Sequence, residues 1–192
     1  MNEKIQKAAE ILQNGGIVLL PTDTVFGICC RIDKKDSLER LFAIKKRDPK
    51  QAVPVLVSST DMVKKYALPL DEKIEDLMER YWPGGLTLVL PCKKDSVLPL
   101  VRGDGDTLGF RIPNMPSVFQ IIEKVGVPIV GTSANFHGNP SVTKYKDLDP
   151  QLVALVDFVL EEDSLGGIAS TVLDCSTIPW KILRKGAVDL QL

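Results

Sequence analysis

Four polar strings in this chain combine residue types that could handle an anionic, phosphate-bearing substrate. Pro21-Thr22-Asp23-Thr24-Val25-Phe26-Gly27 sets two hydroxyls and a carboxylate between a rigid proline and a permissive glycine. Lys45-Lys46-Arg47-Asp48-Pro49-Lys50 holds four Lys or Arg side chains in quick succession. Such a cluster suits neutralisation of a polyphosphate, with arginine supplying a bidentate fork and lysine a point charge. Gly131-Thr132-Ser133-Ala134-Asn135 joins small residues, which let a ligand approach the backbone, to the hydroxyl of Ser133 and the amide of Asn135. A scattered fourth group comprises Arg111 before Pro113, Ser170-Thr171 before Val172, and Arg184 after Ile182-Leu183. Each string alone has a plainer reading. The first is an ordinary turn, the second a set of cations favoured by the helix macrodipole in a last turn, the third a loop whose side chains satisfy themselves.

The elements that must position these groups follow from apolar spacing. Helical periods run over Glu3 to Leu12, from Asp36-Ser37 to about Lys46 with a cap expected at its start, after Ser58 to Asp61, over Asp71 to Tyr81 and over Pro116 to Lys124. Strands are predicted at 17–20, 53–57, 86–90, 107–112, 127–130, 158–160, 171–173 and 181–183. Helices alternating with short apolar strands predict one α/β domain over residues 1–192, a twisted mixed sheet flanked by helices. The polar strings fall beside predicted strand ends, where open α/β sheets commonly hold ligands.

Composition narrows the chemistry further. Lys and Arg total 24 against 25 Asp and Glu, so no global field grips a nucleic-acid backbone and any RNA contact is expected to be local. The four cysteines, Cys29, Cys30, Cys92 and Cys175, lack zinc-site spacing and read as buried free thiols. His137, the single histidine, sits in a Gly/Asn-containing loop and is assigned no role. No metal site held by side chains is expected. No apolar run reaches the ~20 residues of a membrane span, and the N-terminal residues lack a signal-peptide pattern, so the expected location is cytoplasmic. A P-loop is absent, and Gly103 to Gly109 fails the dinucleotide spacing.

Taken in order, the strings carry a resemblance. Pro21 to Gly27, Lys45-x-Arg47, Tyr81-Trp82-Pro83-Gly84-Gly85-Leu86-Thr87, Arg111-Ile112-Pro113, Ser133-Ala134-Asn135, Ser170-Thr171-Val172 and Ile182-Leu183-Arg184-Lys185-Gly186 together resemble the YrdC/TsaC family of threonylcarbamoyl-AMP synthases, in its short single-domain form. The resemblance implies a YrdC-like fold with a concave, positively charged groove. It implies that Lys45, Arg47, Ser133 and Asn135 form a catalytic tetrad lining the ATP site. Thr22, Thr24, Arg111 and Ser170 would hold threonine, while Lys50, Thr107, Ser141 and Arg184 would join the tetrad around the nucleotide. The implied substrates are ATP with its Mg²⁺, L-threonine and bicarbonate. The implied product is threonylcarbamoyl-AMP, passed to the threonylcarbamoyl transferase machinery that modifies tRNA beside the anticodon, with any direct tRNA contact weak. The chain departs from many relatives at Gln51-Ala52, where Lys-Pro is common, and at Leu56, where some place a histidine. The competing readings are an RNA-binding module of the same fold without adenylation activity, a paralogue that does little adenylation, and a scaffold.

Overall fold

The computed structural model describes residues 3–136 and 138–191. His137 therefore lies outside the described residues, as do the first two residues of the N-terminal segment. In chain order the elements are α1 (Glu3–Gln13), β1 (Val18–Leu20), β2 (Gly27–Arg31), α2 (Lys35–Lys45), β3 (Val55–Leu56), α3 (Thr60–Tyr66), α4 (Glu72–Tyr81) and β4 (Leu86–Pro91). They continue through α5 (Pro99–Arg102), β5 (Thr107–Arg111), α6 (Pro116–Val125), β6 (Ile129–Ser133), α7 (Pro150–Val153), β7 (Phe158–Val159), β8 (Thr171–Asp174) and β9 (Lys181–Arg184).

Among the described residues, one sheet runs in the order β7-β1-β2-β6-β3-β5-β4-β8-β9. It is mixed: β1/β7, β3/β5 and β4/β8 are parallel, the other pairs antiparallel. The α/β expectation holds. Helix α1 buries Ile5, Ala8, Ala9 and Leu12, the residues its period singled out, against β1, β2, β7 and α6. Helices α3 and α4 start where side chains satisfy their first amides: Ser59 accepts from the Met62 amide and Asp71 from that of Ile74. Helix α2 does not start this way. It begins at Lys35 after an uncapped Lys34, and the Ser37 hydroxyl instead donates to the Gly15 carbonyl, tying α2 to the end of α1.

Strand β2 has no counterpart in the sequence expectations. Residues Gly27 to Cys30 are all buried, so the segment lacks the polar alternation that betrays a half-exposed strand. It pairs with β1 through Leu20↔Gly27 and with β6 through Gly27↔Ser133, which makes Pro21 to Phe26 the tip of a hairpin. The short helices α5 and α7 were likewise beyond the reach of periodicity. All four cysteines are free and buried. Burial pushes the Cys30 thiol up to about 12, and that of Cys29 also upward, so neither is a ready nucleophile.

Candidate active site

The sheet itself forms the floor of a cavity of about 490 Å³. Its lining includes Thr87 and Val89 on β4, Thr107, Gly109 and Arg111 on β5, Gly131 and Ser133 on β6, and Val172 and Asp174 on β8, with Ser170 just before β8. Within each strand these residues are two apart, the spacing that returns side chains to one face. Register aligns them across strands: Val89 pairs with both Gly109 and Asp174, and Val172 pairs with both Thr87 and Arg184. The site thus lies on a sheet face rather than in a crevice beyond strand ends, which corrects the placement expected from α/β folds in general. The polar positions had looked like strand ends because each strand is short. Gly131 makes room for the Leu56 side chain, since an added Cβ would fall 2.6 Å from it.

One side of the cavity is organised around Arg111, which is 6% exposed. Its Nε donates to the Gly84 carbonyl at 2.9 Å, one Nη to Thr24 Oγ1 at 2.8 Å and the other to Asp23 Oδ1 at 2.5 Å. Three of its five N–H groups are so engaged, which leaves two for a ligand carboxylate. Burial lowers the guanidinium from its ordinary value while neighbouring Asp23 raises it, and an arginine remains charged at neutral pH. The hairpin tip holds this geometry. Thr22 donates its hydroxyl proton to the Val25 carbonyl and accepts from the amides of Thr24 and Val25. Thr22 therefore lines the cavity but its proton is committed to the turn, whereas Asp23 is a partner of Arg111 rather than a plain turn residue.

A second cluster joins the end of α2 to the loop after β6. The Lys45 ammonium donates to the Ser133 carbonyl at 2.7 Å, to Asn135 Oδ1 at 2.7 Å and to the Asn135 carbonyl. The Ser133 hydroxyl donates to the same Oδ1 at 2.7 Å. All three ammonium protons have acceptors, so Lys45 anchors the Ser133–Asn135 loop. Ser133 and Arg47 face the cavity, and Lys45 and Asn135 stand behind Ser133. Arg47 leans on backbone: it donates to the Gln51 carbonyl at 3.2 Å and the Ala52 carbonyl at 2.6 Å. Because these acceptors are main-chain atoms, the unusual side chains at 51 and 52 do not disturb the contact. Leu56 lines the apolar wall, and Thr107, Ser141 and Arg184 also reach the cavity. Lys50 is exposed and outside the lining.

Lys45 yields a prediction with a definite sign. Burial first, and Arg47 second, lower its ammonium from 10.5 to about 8. A lysine that holds its proton less tightly in the folded chain than in the unfolded one costs stability below pH 8, and the cost fades as pH rises from 8 towards 10.5. Relative to Lys45→Met, the wild type is therefore expected to gain stability between pH 7.5 and 9.5, measured by urea unfolding. A flat difference across that range would show that Lys45 keeps its charge throughout.

The lining holds three arginines against one aspartate, Asp174, whose carboxylate already accepts from the Ser176 amide and hydroxyl. Among the described residues no group of three or more His, Cys, Asp or Glu could hold a metal ion. The donor set suits anions. Among the described residues no helix is long and apolar enough to cross a membrane. Sequence reasoning named Thr87 only within a motif string, with no site role, and missed Val89, Gly109 and Asp174. The signal for them was the period of two within predicted strands, with small or polar residues on one face where a covered sheet would carry large apolar ones.

A family model, Sua5_yciO_yrdC, described as "Telomere recombination", matches residues 10–186. The chain is 34% identical over 190 residues to a threonylcarbamoyl-AMP synthase of Bacillus subtilis, covering 96% of this chain and 54% of that protein. It is 30% identical to the synthase of Nitrosococcus oceani, covering 83% of this chain and 85% of the relative. The structure of P. abyssi Sua5 complexed with L-threonine superposes with a TM-score of 0.92 at 30% identity, over 97% of this chain and 55% of the other. That of E. coli YciO gives 0.89 at 25% identity, over 98% and 92%. The chain thus spans about half the length of the B. subtilis and P. abyssi proteins.

Proposed function

We propose, because the chain belongs to the Sua5/YciO/YrdC family, that it is a threonylcarbamoyl-AMP synthase, taking L-threonine, bicarbonate and ATP to threonylcarbamoyl-AMP and pyrophosphate. The observation that carries this reading is the meeting of two separate arginine and hydroxyl clusters on one cavity, Arg111 with Thr24 and Ser170, and Arg47 with Ser133.

In this reading the free N–H groups of Arg111 receive the threonine carboxylate, with Thr24 and Ser170 beside it. The threonine amine nitrogen attacks the carbon of bicarbonate, a C–O bond of bicarbonate breaks, water leaves with the proton given up by the amine, and a carbamate results. Its oxygen attacks the α-phosphorus of ATP, the bond from that phosphorus to the β-bridging oxygen breaks, and pyrophosphate leaves. Carboxylate, carbamate and triphosphate are all anionic, so the protein's work is to hold them together against their repulsion and in line. Arg47 and Arg184 are the cations placed to do so, while Lys45 fixes the loop that presents Ser133. Among the described residues the cavity lining holds no acid–base pair, which suits a displacement at phosphorus governed by positioning and charge. The described residues do not form a cage for Mg²⁺, which in this reading arrives on the triphosphate. Delivery of the product to tRNA-modifying machinery belongs to the same proposal.

The test is mass spectrometry of the products from ATP, bicarbonate and L-threonine, with each omitted in turn. Threonylcarbamoyl-adenylate is expected only from the complete mixture. Its absence there, with the protein folded, would overturn the assignment.

A further inference from the structure

The strand β4 residue Thr87 has no part in the reading above, yet it is 2% exposed, lines the cavity and carries a hydroxyl. Its methyl lies over Gly109 and its hydroxyl has a partner. The methyl lies 3.3 Å from where a Cβ on Gly109 would stand, and Oγ1 lies 2.8 Å from Ser170 Oγ. Ser170 Oγ also accepts from an Arg184 Nη at 3.0 Å, and the Ser170 carbonyl accepts from Arg184 Nε at 2.9 Å.

Proton counting makes this arrangement informative. The two hydroxyls own two protons and share a single mutual hydrogen bond, so one proton is always left over. Among the described residues neither oxygen has another acceptor to give it to. If Ser170 donates to Thr87, the proton left over belongs to Thr87; if Thr87 donates, Ser170 accepts from both Thr87 and Arg184 and keeps its own proton free. The guanidinium on Ser170 Oγ polarises that hydroxyl and strengthens it as a donor. An anionic oxygen in the cavity then outcompetes the neutral Thr87 oxygen for the Ser170 proton.

The geometry points to Thr87 as a positioning residue that acts through Ser170: by donating its proton to Ser170 Oγ beside the Arg184 donor, it holds that oxygen in place with the Ser170 O–H turned to the carboxylate of the bound amino acid, an orientation that is lost when Thr87 has no hydroxyl. This rests on the threonine-binding part of the proposed function. Thr87 touches no ligand in this scheme and no covalent bond changes; two hydroxyl rotors reorient.

The experiment is calorimetric titration with L-threonine of the wild type, Thr87→Val, Thr87→Ser, Ser170→Ala and the Thr87→Val/Ser170→Ala double variant. Valine matches threonine in shape and lacks only the hydroxyl. Thr87→Val is expected to weaken L-threonine binding roughly tenfold, the scale of one hydrogen bond to a charged group, while Thr87→Ser recovers most of it. ATP affinity should not move, which separates the effect from a general loosening of the floor. In the Ser170→Ala background the valine substitution should add nothing. Unchanged L-threonine affinity in Thr87→Val overturns the inference, and so does an equal loss in the Ser170→Ala background, since Thr87 would then act independently. A wild type that binds L-threonine but yields no adenylate overturns the synthase reading while the titrations still decide the role of Thr87. A wild type that does not bind L-threonine overturns both.

Discussion

Arg111→Ala is expected to unfold at a markedly lower temperature and to lose threonine-dependent pyrophosphate release altogether. The reason is the company Arg111 keeps. Its side chain is 7% exposed and that of its partner Asp23 is 11% exposed, so truncation leaves a nearly buried carboxylate without its cation. Breaking such a pair from one side costs about 3–5 kcal/mol, which in a chain of this size lowers the melting temperature by roughly 6–20 °C. The bonds to Gly84 and Thr24 go with it, so the β4 approach and the hairpin tip lose their common anchor. Stability and chemistry can be separated. In Asp23→Asn/Arg111→Met no charge is stranded, and the melting temperature should largely recover while threonine-dependent turnover does not. Calorimetric melting together with a pyrophosphate assay checks both. Turnover restored in the double variant would mean that Arg111 serves the fold alone.

The contrast between Arg111 and Lys45 also shows what the sequence could and could not reveal. Both are buried cations, and the motif strings named both. Which one keeps donors for a ligand depends on acceptors far away in the chain. For Lys45 two of the three are the carbonyls of Ser133 and Asn135, and main-chain atoms leave no mark on residue identity; only the third, Asn135 Oδ1, does. The helices that bury a single stripe, α1 and α4, were readable because a half-exposed helix must alternate. Strand β2 was not, because a strand buried throughout has nothing to alternate. The cavity floor lies between these cases. Its residues recur with a period of two, but the pattern becomes visible only once register sets Val89 beside Gly109 and Asp174 and makes three separate strands one surface. The polar strings supplied the candidate residues; pairing across the sheet told which of them face one another.

Arg47→Ala is expected to leave the fold intact and to lower kcat/KM for ATP by a factor that corresponds to about 2–4 kcal/mol of lost transition-state stabilisation. The fold is spared because the acceptors of Arg47 in the protein are the carbonyls of Gln51 and Ala52. Both belong to an exposed turn where water can replace the guanidinium. Those two bonds fix the direction of the side chain, and the N–H groups they do not use are left to the cavity that Ser133 also lines. The loss should fall on the step in which charge on the triphosphate redistributes, so that L-threonine affinity, measured without ATP, stays at the wild-type value. Arg47→Lys sharpens the test, since it keeps the charge and removes the planar fork. Its activity should lie between those of the wild type and the alanine variant. If the same cavity served to hold RNA instead, Arg47→Ala would weaken a salt-sensitive RNA complex and reduce the steepness of its salt dependence by about one phosphate contact. Unchanged threonine-dependent pyrophosphate release alongside that loss would transfer Arg47 from adenylation to RNA binding.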